Sequence, residues 1–251
     1  MPCVQTIQHR GFAVLYRFLI LLIFPVSLLA QRPGETPVGA WPRSFKAKPV
    51  NLRINDKTED GSLVVESPHF RMVAETRIGR QDLTRFARVV ESVPQLIKSH
   101  PLRLWNSPRK SITDIILCKD ETSFVKAGGD EGAVGWWDGH KERVLIRSDY
   151  FLAPPQTENS RLQAQPDEGL LVHELVHASM SASLWRLPPW FTEGIAEYFS
   201  VCHQGGGWYL FRDLDSLIRN HLRRAISRNK VGEHFHLVPV SSILALSHQD
   251  W

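Results

Sequence analysis

Residues 167–184 read DEGLLVHELVHASMSASL, and this stretch decides how the second half of the chain folds. Apolar residues surround the polar motif H-E-L-V-H on several sides, and the length suits a globular helix. Asp167 suits the N-cap position, so the pattern predicts a buried helix from about Asp167 to Leu184. Positions i and i+4 share one face of a helix, which brings His173 and His177 side by side.

Two imidazoles one helical turn apart can bind one metal ion, and the H-E-x-x-H spacing is typical of zinc sites. Glu174 lies between them, where it can take a proton from a metal-bound water. The motif is short, and in a chain with 11 His a chance match has a probability of roughly a few per cent. A helix with ordinary polar residues is therefore the alternative. The surrounding apolar side chains favour a buried site.

A catalytic zinc ion takes three protein ligands and keeps one open position. Residues 189–198 read PWFTEGIAEY and contain the best candidate, Glu193, beyond a Pro-Pro break that can fold a second helix back on the first. Gly194 and Ala196 are small and allow the two helices to approach closely. The alternative for Glu193 is a surface carboxylate at a helix start.

Glu197 follows Glu193 by one helical turn and lies on the same face. A carboxylate there can accept a hydrogen bond from a ligating imidazole and fix its orientation. The alternative is a surface residue.

The two segments together resemble the gluzincin superfamily of zinc metallopeptidases, and most closely the peptidase-MA-like domains of bacterial exported proteins. The resemblance covers residues 167–200 most specifically. It implies Zn²⁺ as the cofactor and a peptide or protein as the substrate, cleaved by a metal-activated water. It also implies that the hairpin at 133–146 forms the edge of the substrate cleft.

The resemblance assigns a role to each matching residue. His173, His177 and Glu193 would be the metal ligands, Glu174 the general base, and Glu197 the carboxylate that supports a ligating histidine.

Two features depart from the superfamily pattern. The chain has no Gly-x-Met-Glu-Asn motif, so the resemblance does not imply exopeptidase activity. The oxyanion-stabilising residue also has no clear match. His221 is the best candidate because it shares one face of a later helix with Leu214 and Leu217, and Tyr198 and Tyr209 compete with it. A non-catalytic, zinc-stabilised surface domain with a binding role is therefore the alternative function.

The first half of the chain has strand and helix patterns in alternation. Period-2 and apolar segments predict strands, and apolar positions at helical spacing predict an amphipathic helix at about 81–98. The strands are expected at 62–66, 70–74, 112–118, 133–137 and 143–147, and further helices at about 190–201 and 213–227. The predicted class is α+β: a small mixed sheet with one helix, followed by a helical half that carries the zinc-binding helix.

The N-terminal residues 1–30 have the pattern of a targeting segment. Arg10 and Arg17 precede or interrupt an apolar run that ends near Ala30, which predicts either a cleaved signal peptide or a retained membrane anchor. An exported location follows from either. Residues 31–60 are rich in Pro, Gly and charge and are expected to be a linker, with ordered structure from about Ser62.

A single domain is expected over residues 61–251. An apolar run lies just before Trp251, where relatives of this type usually continue with more helix, which leaves a C-terminal truncation open.

The formal net charge is +4, and no Lys/Arg run interleaved with aromatics stands out, so a nucleic-acid partner is not expected. Oligomeric state has no signal in the sequence. Cys118 and Cys202 could form a disulfide in an oxidising compartment, or could be two separate buried thiols.

Overall fold

The computed structural model describes residues 42–55, 62–101, 112–151, 168–184, 187–228 and 239–246. Within them the strands are β1 (Ser44–Lys46), β2 (Arg53–Asn55), β3 (Leu63–Glu66), β4 (Phe70–Ala74), β5 (Thr113–Cys118), β6 (Gly135–Asp138), β7 (Arg143–Arg147) and β8 (Trp208–Leu210). The helices are α1 (Arg80–Ser99), α2 (Glu121–Ala127), α3 (Ser148–Phe151), α4 (Glu168–Leu184), α5 (Pro189–Cys202), α6 (Leu214–Arg228) and α7 (Val240–Leu244). The predicted α+β class is confirmed.

The main sheet is mixed and has the strand order β2-β3-β4-β5-β7-β6. Strands β3 and β4 form the predicted antiparallel hairpin, with Val65 opposite Met72. Strands β4, β5 and β7 are parallel neighbours, and β6 folds back antiparallel on β7 as the last strand in the order. Strand β6, which packs against the helix that carries the H-E-x-x-H motif, is therefore an edge strand of the main sheet.

Helix α1 is the predicted amphipathic helix, and its bounds lie within one residue of the predicted ones. Its apolar positions recur every three or four residues, so one face meets the core while the other faces water. The five side chains that carried the prediction are all buried: Leu83, Phe86, Val90, Val93 and Ile97.

Helices α4 and α5 form an antiparallel pair joined by a short connection. Helix α4 packs against α5 on one side and against α1 and β6 on others, which explains why it is apolar around most of its circumference. Pro189 occupies the first turn of α5, where its missing N–H costs nothing. The Thr192 hydroxyl donates a hydrogen bond to the Leu184 carbonyl, at 3.2 Å, and ties the connected ends together.

The expectation that ordered structure begins near Ser62 is wrong. Strand β1 pairs antiparallel with β8, more than 150 residues later, and β2 pairs with β3. Both early strands are three residues long and mostly exposed, and each has a single apolar residue, which is too few to show a period. Hydrogen bonds to distant strands define them, and such pairing leaves little signal in the local sequence.

The first half also contains α2, which the sequence analysis did not predict. The Asp120 side chain caps its start by accepting the Ser123 N–H, and Gly128 ends it in the left-handed region at a φ of 110°. These are ordinary helix start and stop residues around a seven-residue element, too short to produce a clear apolar period.

Cys118 and Cys202 are both buried free thiols. Of the two alternatives, the disulfide is therefore wrong and the pair of separate buried thiols is confirmed. Burial raises the pKa of Cys118 to about 11 and that of Cys202 to about 12.

In the part of the chain that the structure describes, no helix combines the length and apolar character needed to cross a membrane. The predicted targeting segment at 1–30, the N-cap Asp167 and the C-terminal Trp251 lie outside the described residues.

Candidate metal centre

The H-E-x-x-H motif lies in the first half of α4, and its two histidines share one face as predicted. The Nε2 atoms of His173 and His177 are 3.0 Å apart, and the rings meet edge to face with centroids 4.7 Å apart. His173 is buried and His177 is half-buried. The helix period therefore brings both nitrogen atoms to one point at the surface of the core.

Helix α5 brings Glu193 to the same point. Its Oε2 atom is 3.2 Å from the Nε2 atom of His173 and 3.6 Å from that of His177. Gly194 and Ala196 are buried in α5, which packs closely on α4. Two imidazole nitrogens and one carboxylate oxygen thus converge from two helices.

The three residues form a group whose ligand atoms all lie within 4.8 Å of one another. The chemical character of the group suits a cation, because imidazole nitrogens and carboxylate oxygens are ligands that zinc takes in proteins. The group could hold a metal ion.

Glu197 lies behind His173 on the side away from the group. Its carboxylate is almost fully buried, and Oε1 is 3.5 Å from the Nδ1 atom of His173. This is the position from which a carboxylate orients an imidazole through its second nitrogen.

The charges around the group favour a positive charge at its centre. Burial lowers the pKa of His173, but a hydrogen bond to Glu193 and the nearby carboxylates of Glu197 and Glu174 outweigh burial and raise that pKa to about 9. Burial raises the pKa of Glu193, but hydrogen bonds to His173 and His177 hold it well below its usual range. A metal ion would supply the positive charge that a proton on His173 supplies without it.

Strand β6 positions Glu174 from the other side. The backbone N–H of Trp137 donates to Glu174 Oε2 at 3.0 Å. Gly135 lies beside the same side chain, and a Cβ atom at that position would be only 3.0 Å from Glu174 Cγ. The strand and the helix therefore approach so closely that this position has no room for a side chain unless Glu174 moves.

The pairing of β6 with β7 leaves backbone groups on its free side. Arg147 donates its N–H to the Val134 carbonyl, which makes Gly135 and Trp137 the residues whose backbone groups point away from β7. The sequence analysis predicted a hairpin at the cleft edge but not this contact with Glu174, because a strand's distance from a helix has no sequence signature.

The three oxyanion candidates differ in their surroundings. Tyr209 is fully buried and its hydroxyl is 2.7 Å from the Ser92 hydroxyl, so it belongs to the core beneath β8. Tyr198 is buried and stacks on Phe211. His221 lies on α6, half-buried, and is not one of the three grouped ligands. Its proposed role remains a prediction.

No protein-family model matches the sequence, and no curated protein or solved structure matches it either.

Proposed function

We propose that the chain is a zinc-dependent peptide hydrolase of the gluzincin type. The observation that carries the proposal is the convergence of His173, His177 and Glu193 beside Glu174. The same residues underlie the resemblance to peptidase-MA-like domains, and the apolar N-terminal run supports an exported location.

The spacing of the ligand atoms supports zinc as the ion. A tetrahedral ion with bonds of about 2.0–2.1 Å needs ligand atoms about 3.3 Å apart. The three separations in the group are 3.0, 3.2 and 3.6 Å, and they bracket that value. Two imidazoles and one carboxylate are also a ligand set that catalytic zinc sites use, with a fourth position left open.

His173, His177 and Glu193 would hold the zinc ion, which would lower the pKa of a bound water to about 7 and polarise the carbonyl of a substrate. Glu174 accepts the proton of the attacking water and passes it to the leaving amine. While Glu174 is deprotonated, the hydrogen bond from the Trp137 N–H holds its carboxylate in place. Glu197 keeps the His173 ring in its orientation.

The free edge of β6 supports an extended peptide as the substrate. An edge strand offers N–H and C=O groups to a chain laid beside it, and β6 borders the helix that carries Glu174. The backbone groups of Gly135 point to that free side, while the Trp137 N–H on the same side is bonded to Glu174.

The test is Glu174→Gln. The variant should keep one equivalent of zinc while its hydrolysis of a mixed peptide library falls about 10²- to 10⁴-fold, because the base is lost and the ligands are not. Glu131→Gln, an exposed carboxylate in a turn, is the matched control and should leave the rate unchanged. Undiminished turnover by Glu174→Gln would remove Glu174 from the mechanism.

The hydrogen bond between Trp137 and Glu174 also favours a second candidate function. It gives Glu174 a structural partner, as in a zinc-stabilised domain that binds without catalysis. In that case the wild-type protein would bind zinc and lose thermal stability on chelation, but would cleave no peptide of the library with or without a chelator.

A further inference from the structure

Helices α4 and α5 are held together at both ends, and the two ends use different contacts. At the connected end, Thr192 bonds to Leu184. At the open end, Glu168 is the first residue of α4, and its Oε2 accepts the backbone N–H of Gly206 at 2.8 Å. Gly206 belongs to the turn that follows α5, so this hydrogen bond closes the open end of the helix pair.

The turn to which Glu168 is hydrogen-bonded is itself fixed in place. Gly205, Gly206 and Gly207 all have φ in the left-handed region, between 58° and 99°, where other residues are strained. A Cβ atom on Gly207 would lie 3.0 Å from Ser92 Cβ and 3.1 Å from Ala47 Cβ. The turn therefore packs directly against α1 and β1, and it offers Glu168 a rigid anchor.

Neighbouring side chains complete the contact. His203, which ends α5, has a buried side chain whose Nε2 accepts the Gly207 N–H at 3.2 Å and lies 3.8 Å from Glu168 Oε2. Arg85 of α1 brings its Nε to 4.0 Å from Glu168 Oε1. The Glu168 carboxylate, mostly shielded from water, thus joins α4 to the turn by its hydrogen bond to Gly206 and lies beside a cation of α1.

The metal-ligand group lies between the two closures. His173 follows Glu168 by five residues on α4, and Glu197 precedes His203 by six on α5. The separations within the group depend on how far apart the helices stand, and an error of about 0.2 Å matters to a metal site. A closure at only one end would let the other end of the pair open.

We propose that Glu168 is a positioning residue for the metal centre: by tying the start of α4 to the Gly205–Gly207 turn, it fixes the distance between the histidines on α4 and the carboxylate on α5. The inference rests on the proposed function only in requiring that the group binds a metal ion. It assigns Glu168 no contact with substrate or metal.

The test compares Glu168→Ala with Glu168→Gln, which keeps an oxygen acceptor for the Gly206 N–H. Zinc affinity is measured by competition with a chelating dye, and ligand geometry by the visible absorption of the Co²⁺-loaded protein. Glu168→Ala should bind zinc about 10-fold more weakly and shift the Co²⁺ spectrum, as loss of supporting contacts around metal ligands does. Glu168→Gln should stay within about 3-fold of wild type on the same scale.

Asp215→Ala is the matched control, because Asp215 is also a carboxylate in a first helical turn but is exposed on α6. It should change neither readout. If Glu168→Ala does not fold, Glu168→Asp serves instead, since it keeps the charge but is too short to reach Gly206, and it should weaken zinc binding several-fold.

A folded Glu168→Ala protein with a lower melting temperature but wild-type zinc affinity and Co²⁺ spectrum would overturn the positioning role alone. A wild-type protein that binds no zinc would overturn both this inference and the proposed function.

Discussion

Two carboxylates, the buried Glu91 on α1 and the half-buried Glu193 on α5, are stabilised in different ways. Glu91 is satisfied by the chain's own donors: the Ser67 hydroxyl at 2.6 Å, the His69 N–H at 2.8 Å and His69 Nδ1 at 2.7 Å. Glu193 instead faces two imidazole nitrogens that also face each other. The donors of the first network belong to the chain itself, whereas in the second a proton on His173 supplies the positive charge that a metal ion could supply.

The difference separates a structural carboxylate from a candidate metal ligand. Ser67 and His69 fix the turn between β3 and β4 on α1, and Lys98 continues the chain of contacts to His69 Nε2 at 2.7 Å. Such a network is expected to contribute stability and nothing else. The Glu193 group holds a proton on His173 in metal-free protein, and a metal ion would displace that proton. Each prediction below changes one side of this comparison.

The largest effect is expected from His173→Ala. The remaining imidazole and carboxylate give only two ligands, so zinc affinity should fall by at least about 10³-fold, or about 4 kcal/mol. Zinc content after dialysis and a competition titration measure it. His140→Ala, an exposed histidine of the β6–β7 turn, should retain zinc fully. Full retention by His173→Ala as well would reject the ligand set.

Glu91→Ala tests the other side of the comparison. Its removal leaves buried donors of Ser67 and His69 without an acceptor, so the free energy of unfolding should fall by about 3 kcal/mol. Zinc affinity should not change. Urea unfolding measures the first quantity, and Arg88→Ala, exposed on the same helix, should stay within about 0.5 kcal/mol of wild type. A loss of zinc affinity in Glu91→Ala would show that the two networks are coupled.

His100 lies where the two regions meet and gives a pH-dependent test. It follows α1, and its ring meets that of Phe199 on α5 edge to face at 5.2 Å. Burial lowers the pKa of His100 from 6.5 to about 4. The unfolded chain therefore takes up a proton at a higher pH than the folded chain does, so stability is full above pH 6.5 and falls as the pH drops toward 4.

The expected size of this loss is about 2 kcal/mol at pH 5. His100→Leu should remove that part of the pH dependence, since leucine does not titrate. Urea unfolding of both proteins at pH 7.5 and pH 5 measures it, and other groups titrate alike in the two proteins. Equal losses in wild type and variant would mean that His100 is not the group responsible.

The sequence was sufficient for the elements with strong periods. The apolar positions of α1 and the i, i+4 histidines of α4 are local patterns, and both were predicted with their roles in packing and in ligation. The Glu193 position also followed from sequence, because the Pro-Pro break and the small residues after it indicate a helix folded back on its neighbour.

Other features depend on residues far apart in the chain, and sequence reasoning missed them. Strands β1 and β8 pair across the length of the fold, Ser67 and Glu91 are 24 residues apart, and Trp137 reaches Glu174 from another layer. Each contact depends on where the sheet sits against the helices, which no local period encodes. Glu168 was noted only as part of an apolar helix stretch, and its role needs the turn after α5.

Glu197→Gln is expected to give the smallest effect and the sharpest contrast with Glu91. Glutamine removes the charge that faces His173 Nδ1 but keeps an oxygen that can accept its proton, so zinc affinity should fall about 10-fold, or about 1.4 kcal/mol. In metal-free protein near pH 7 the change should lower the free energy of unfolding by less than Glu91→Ala does, because it removes only one of several carboxylates that favour the proton on His173 and leaves an oxygen acceptor in place. Zinc competition and urea unfolding in the presence of a chelator measure the two quantities. The two carboxylates thus predict contrasting outcomes: loss of Glu91 lowers stability without affecting zinc affinity, whereas the change at Glu197 lowers zinc affinity with only a small loss of metal-free stability. If Glu197→Gln instead loses as much stability as Glu91→Ala and binds zinc as tightly as wild type, then Glu197 is a structural carboxylate like Glu91 and does not support the metal ligands.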